Sequence, residues 1–163
     1  ARNADRFSKT VNGDYSIQHK IELALYSLRY DGKCIYLVFV YMHPSSRQDD
    51  NARLLKSFLD SNLPEPYNKS QHRVYIFGDF NFDCYMHQSG LLPKRLAQLG
   101  LHPTINEHVR TFRPRDTEAN KSISQIDWVV TNRKPNMHET YVYPTWYSDH
   151  AALFTEIKLR KDK

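Results

Sequence analysis

A chain of 163 residues is long enough for one domain with a buried core and too short for two. Hydrophobic residues make up 40% and charged residues 25%, an ordinary globular balance. No apolar stretch approaches the roughly 18 residues that span a membrane, and the polar, basic stretch Ala1–Thr10 does not read as a signal peptide. The formal charge of +5 favours a polyanionic partner, nucleic acid above all. The two cysteines, Cys34 and Cys84, lack metal-type spacing and read as reduced thiols, which suits an intracellular protein.

Residues 1–16 carry no periodicity and read as a loop or frayed end. Ile17–Tyr30 alternates and predicts a strand. Asp31-Gly32 is a hairpin turn signal. Lys33–Tyr41 is apolar almost throughout, the pattern of a strand buried on both faces. Gln48–Leu59 predicts an amphipathic helix with Ala52, Leu55, Phe58 and Leu59 on one face. Ser46 is its expected N-cap, and Asp49 and Asp50 suit its first turn. Pro64–Gln71 reads as a polar loop and Arg73–Phe77 as the next buried strand. Gly90–Leu99 predicts a short helix closed by Gly100, with Pro93 in its first turn. Leu101–Phe112 is mixed, and Pro114–Ser122 reads as a charged loop. Ile126–Val130 and Thr140–Tyr143 predict strands, and the alternating Ala151–Leu159 is expected to close the sheet. Helices placed between apolar strands give an α+β or layered α/β sandwich.

Three places carry chemistry. Gly78-Asp79-Phe80-Asn81 follows the apolar run Val74–Phe77. A carboxylate and a carboxamide two residues apart on a strand point the same way. Asp79 there can orient or deprotonate a water, and Asn81 can donate to a phosphate oxygen without adding repulsive charge. Asp127 sits inside Ile126–Val130, where an ionised carboxylate is costly to bury unless paired. A structural ion pair would suffice, but an imidazole partner fixed in tautomer by Asp127 is the functional alternative. Ser148-Asp149-His150, at the start of the last strand, supplies that imidazole. Adjacent strand residues face opposite ways, so Asp149 and His150 need a local twist to share a site.

Tyr41 ends a strand, where its phenol either packs or holds a phosphate oxygen. Thr111 lies in Val109–Arg115, a segment with Arg110, Arg113 and Arg115 that can grip a phosphate backbone. Three strand ends delivering acid, amide and imidazole point to metal-assisted hydrolysis.

The ordered set Tyr41, Gly78-Asp79-Phe80-Asn81, Thr111, Ser124-x-Ile126-Asp127 and Ser148-Asp149-His150 resembles the endonuclease/exonuclease/phosphatase superfamily, of DNase I-like fold. It looks most like the apurinic-type endonuclease domains of non-LTR retrotransposons and related mobile elements; Val130-Thr131-Asn132 after Asp127 fits that style. The resemblance runs from about Ile21 to Lys158 and implies a four-layer α/β/β/α sandwich. It implies that Asp79 aligns or activates the attacking water, that Asn81 and Tyr41 hold the scissile phosphate, and that Asp127 pairs with His150, which stabilises the phosphate charge. Asp149 is implied as the ligand of a divalent metal, Mg²⁺ or Mn²⁺. Thr111 and Ser148 are implied at the site edge, beside Arg113 and Arg115 as substrate contacts.

The resemblance lacks two of the family's parts: a first strand carrying Asn, and a second ending in Gln-Glu. Asn3 and Asn12 lie in polar sequence, and Glu22 in Ile21-Glu22-Leu23 lacks the expected context. Residues 1–163 are therefore expected to form one domain matching the C-terminal two thirds of the fold, completed by an N-terminal segment or a partner chain. The implied activity is Mg²⁺-dependent nicking of DNA inside the cell, with the nucleus as one location. An RNA nuclease, a phosphatase of the same fold, and an inactive nucleic-acid-binding remnant are the alternatives.

Overall fold

The computed structural model describes residues 8–10, 21–30, 33–64, 72–83, 90–105, 109–113 and 124–159. In chain order the elements are β1 (Ser8–Thr10), β2 (Ile21–Tyr30), β3 (Lys33–Met42), α1 (Gln48–Asn62), β4 (Arg73–Asp79), α2 (Leu91–Gln98), β5 (His102–Pro103), β6 (Asp127–Thr131), a 3₁₀ turn (Pro135–Met137), β7 (His138–Tyr143) and β8 (Ala152–Ile157). They form a six-stranded sheet in the order β1-β2-β3-β4-β6-β5 and a separate two-stranded sheet, β7-β8. The strand β8 therefore does not close the main sheet, as its alternation predicted; it pairs with β7 alone, from His138 opposite Ile157 to Tyr143 opposite Ala152. The segment Ser8–Thr10, expected as loop, pairs antiparallel with β2. The turn signal Asp31-Gly32, the cysteine Cys84 and the loops 65–71 and 114–122 lie outside the described residues.

One face of the main sheet is continuous core. Leu23 and Leu25 of β2, Val38, Val40 and Met42 of β3, Val74 and Ile76 of β4, and Trp128 and Val130 of β6 are all buried. Both helices lie against them. The spacing of Ala52, Leu55, Phe58 and Leu59 puts all four on the buried side of α1, and Leu92 and Leu96 do the same for α2. The helix α1 starts at Gln48 as expected, but its cap falls one residue after Ser46. Arg47 occupies the N-cap and makes no side-chain cap bond; Ser46 instead accepts from Asn51 Nδ2 at 2.6 Å. The helix α2 ends as predicted. Gly100 adopts φ 69°, and Gly100 N–H and Leu101 N–H donate to Ala97 O and Leu96 O, both at 2.9 Å, which satisfies its last carbonyls.

β3 and β4 run parallel, with Val40 opposite Gly78. Here glycine is obligatory: a Cβ at Gly78, whose φ is +149°, would stand 1.8 Å from the Val40 carbonyl oxygen.

The other face of the sheet is covered unevenly. At β4 and β6, Tyr75 and Val129 are fully buried, and Tyr75 meets the ring of His138 at 6.2 Å. At β2 and β3 the cover ends. Phe39 is 45% exposed and Tyr41 40%, so β3 is not buried on both faces. Its unbroken apolar composition concealed the difference. Among the described residues, the helices, the main sheet and the β7-β8 ribbon make up three layers of the expected α/β/β/α arrangement.

Candidate active site

Strand register assembles the site. Tyr41 stands opposite Asp79 across the parallel β3-β4 pair, and Asp79 stands opposite Asp127 across β4-β6. Directly paired residues project to the same face, so the three form one row on the face turned away from the helices. Glu22, opposite Tyr41, extends that row by one strand.

Asp79 and Asn81 meet through a turn, not through strand periodicity. The strand β4 ends at Asp79. Phe80 enters the core with 2% exposure, and its N–H donates to Ile126 O at 2.8 Å. Asn81 takes φ 45°, a conformation that asparagine tolerates better than most residues. Its N–H donates to Asp79 Oδ1 at 2.7 Å. Its amide donates to Asp79 Oδ2 at 3.1 Å and to Met42 O at 2.6 Å. Both amide protons are therefore committed within the protein, and Asn81 would have to release one to hold a phosphate. In this arrangement it positions Asp79.

Asp127 and His150 form the pair expected of them. His150 Nδ1 lies 2.9 Å from Asp127 Oδ2 and 3.1 Å from Oδ1. Burial disfavours the imidazolium, but the bond to Asp127 and the charges of Asp127, Asp79 and Asp149 outweigh it, so the His150 pKa is raised. Burial raises the Asp127 pKa against the lowering effect of His150 and Thr111. Asp79 is raised by burial first, with the nearby Asp127 charge adding to it. Two carboxylates held in one row are costly to keep ionised together.

Thr111 is 1% exposed, and its hydroxyl oxygen accepts from Ile126 N–H and Asp127 N–H, both at 3.0 Å. It acts on the site through Asp127. Ser148 Oγ accepts from His150 N–H at 3.1 Å. Asp149 O accepts from Arg113 N–H at 2.6 Å, joining the arginine segment to the Ser148–His150 loop. Arg110, Arg113, Ser148, Asp149, His150 and Trp146 are among the residues lining an open cleft of about 500 Å³. Arg115 lies outside the described residues.

Among the described residues, Asp79, Asp127 and His150 form the one group able to offer three metal-ligand atoms within 4.8 Å of one another. Asp149, the ligand expected from sequence, is not in it. His150 Nδ1 is engaged with Asp127, which leaves the Asp79 carboxylate, the remaining lone pairs of the Asp127 carboxylate and His150 Nε2 as donors. Hard oxygen donors whose mutual repulsion a cation would relieve fit a divalent ion such as Mg²⁺.

No family model and no curated protein matches the sequence. Solved structures do. The endonuclease domain of TRAS1, a telomere-specific non-LTR retrotransposon, aligns with TM-score 0.66 at 19% identity, over 85% of this chain and 64% of that one. An endonuclease/exonuclease/phosphatase family protein from Leptotrichia buccalis aligns with TM-score 0.61 at 14% identity, over 84% and 54%. A mannosyl-6-phosphatase of Bacteroides thetaiotaomicron aligns with TM-score 0.54 at 17% identity, over 84% and 56%. The chain has the DNase I-like fold of the endonuclease/exonuclease/phosphatase proteins. It spans less than two thirds of the length of each of these three structures.

Within that DNase I-like frame, sequence reasoning missed two site features. Thr145 Oγ1 donates to His150 O at 2.7 Å and lies 3.3 Å from Ser148 O, pinning the loop that carries the imidazole; no local pattern marks such a bond. Trp146, in the same loop, is 94% exposed. A tryptophan among proline, threonine and serine was the available signal. No helix among the described residues is long and apolar enough to cross a membrane.

Proposed function

We propose that this chain is a divalent-metal-dependent phosphodiesterase that nicks DNA in the manner of a mobile-element endonuclease. The observation that carries this reading is the Asp127–His150 pair at 2.9 Å, set beside an Asp79 held on both oxygens by Asn81. The fold shared with a retrotransposon endonuclease domain supports it, as do the basic balance of the chain and the arginines of the adjoining cleft.

Asp127 accepts a hydrogen bond from His150 Nδ1–H, which leaves Nε2 to face a phosphate oxygen and, once the ring is an imidazolium, to donate to it. The imidazolium, favoured by the surrounding carboxylates, stabilises charge growing on that phosphate. Asp79, with its pKa raised and its carboxylate oriented by Asn81, takes a proton from the attacking water. Tyr41, one strand away in the same row, faces the phosphate. A divalent ion held by Asp79 and Asp127, with Asp149 adding charge nearby, would supply Lewis-acid stabilisation of the phosphodiester. The expected products are those of hydrolysis with a 3′-hydroxyl retained.

The test compares supercoiled plasmid, a structured RNA and a small sugar phosphate, each with Mg²⁺, Mn²⁺ or chelator. Cleavage of plasmid only, and only with metal, is expected. Preferential release of phosphate from the sugar would move the assignment to a phosphatase. Salt-dependent DNA binding without cleavage of anything would make the chain a binding remnant.

A further inference from the structure

The two tryptophans of this chain stand at opposite extremes. Trp128 is 2% exposed in the core and donates its indole N–H to Phe82 O at 3.2 Å. Trp146 is 94% exposed. Large aromatic side chains left in water are uncommon and mark contact surfaces. The ring lines the same cleft as Arg110, Arg113, Asp149 and His150. Its loop is held by the bonds that hold the imidazole, from Thr145 Oγ1 to His150 O at 2.7 Å and from His150 N–H to Ser148 Oγ at 3.1 Å. Tyr147 stands edge-on to it at 5.6 Å. An exposed indole fixed beside arginines and a phosphate-directed histidine is what a strand needs: cations for its backbone, and a flat apolar surface for a base.

We propose that Trp146 is a stacking platform for an unpaired nucleobase next to the scissile phosphate. The favoured substrate is then a strand with an unpaired base at the site, such as negative supercoiling opens in a plasmid, in preference to a relaxed, fully paired duplex or a small phosphoester. This rests on the nucleic-acid reading above and specifies its substrate. A base already stacked in a duplex gains little from the indole, whereas an unpaired base recovers the stacking it has lost.

The two-tryptophan arrangement supplies its own probe. In chelator, so that nothing is cut, the protein is titrated with a single-stranded oligothymidylate, with an abasic sugar-phosphate oligomer of equal length, and with a blunt duplex. Tryptophan fluorescence reports stacking, and anisotropy of labelled strands reports binding. The single strand should quench Trp146 strongly, the duplex weakly and the abasic oligomer not at all. A Trp128→Phe variant should retain the quenching, and Trp146→Ala should abolish it. That second change, at a solvent-exposed position, should weaken single-strand binding on the order of tenfold and leave the abasic oligomer unchanged. Equal quenching by the abasic oligomer, equal quenching by the duplex, or unchanged binding by Trp146→Ala would overturn the proposal. Stacking without any hydrolysis in Mg²⁺ would overturn the enzyme reading and leave this one standing; hydrolysis of strands without quenching would do the reverse.

Discussion

The two faces of the main sheet are built from the same strands and do different work. On the helix side, side chains from β2, β3, β4 and β6 meet α1 and α2, and that core is closed. On the opposite side the row Tyr41, Asp79, Asp127 crosses the sheet, and beside it the aromatic rings are partly bare. Phe39 stacks on Phe77 at 5.5 Å and meets Tyr26 edge-on at 5.6 Å. Ala24, Tyr26, Leu37 and Phe39 line an open apolar depression of about 410 Å³. The lesson is a division of labour: stability is concentrated on the helix face, while the other face carries charge that burial makes costly.

Matched truncations should break that comparison most sharply. Phe58, 1% exposed on α1, and Phe39, 45% exposed on β3, differ in cover and not in chemistry. Phe58→Ala should cost about 4 kcal/mol through lost burial and a cavity, and Phe39→Ala under about 1 kcal/mol. Urea midpoints check both, and equal losses would mean that the faces are equally covered. Gly78→Ala comes next, at about 3 kcal/mol, because its Cβ would collide with the Val40 carbonyl 1.8 Å away and force β3 and β4 apart.

Asp79→Asn should have the opposite sign. The folded-state pKa of Asp79 lies above its ordinary value through burial and the Asp127 charge. Its ionised form therefore weakens the fold at neutral pH, and acidification through the raised pKa relieves this. The amide removes that charge and its oxygen can still accept from Asn81 N–H, at the loss of the longer bond from Asn81 Nδ2 to the second oxygen. Thermal unfolding in chelator should show a gain of about 1 kcal/mol, while hydrolysis falls by about 100-fold or more. A destabilised variant would contradict the charge account.

The smallest effect concerns His138, buried against Tyr75. Burial lowers its pKa from the usual 6.5, with the Lys158 charge assisting. Below pH 6.5 the unfolded chain takes up a proton that the folded chain resists, so stability falls with acidification. His138→Phe should remove that loss, a difference of about 2 °C in Tm between pH 7 and pH 5.5. His150 runs the other way: its pKa is raised, so its contribution is complete below the ordinary imidazole value and is lost as pH rises through the raised one.

Much of the helix face was legible in the sequence. The 3.6-residue spacing of Leu55, Phe58 and Leu59 and the glycine at 100 each had one local meaning. So did the Asp127–His150 pair, because a carboxylate inside an apolar strand needs a partner. The open face was not legible. Phe39 and Tyr41 are apolar or aromatic whether or not anything covers them, and cover depends on elements distant in sequence. Ser8–Thr10 forms a strand without a single large apolar residue, and His102–Pro103 is too short to show a period. Thr111 looked like a substrate contact because its service to Asp127 spans 16 residues. Asn81 looked like a phosphate donor because its bond to Met42 O spans 39.

The central claim is that Asp79, Asp127 and His150 form a hydrolytic centre. Nicking of supercoiled plasmid with and without Mg²⁺, beside a His150→Ala control, tests it most directly. Mg²⁺-dependent nicking that disappears in the variant is the predicted result. Nicking by the variant at the parent rate, or none by the parent protein with Mg²⁺ present, would contradict it.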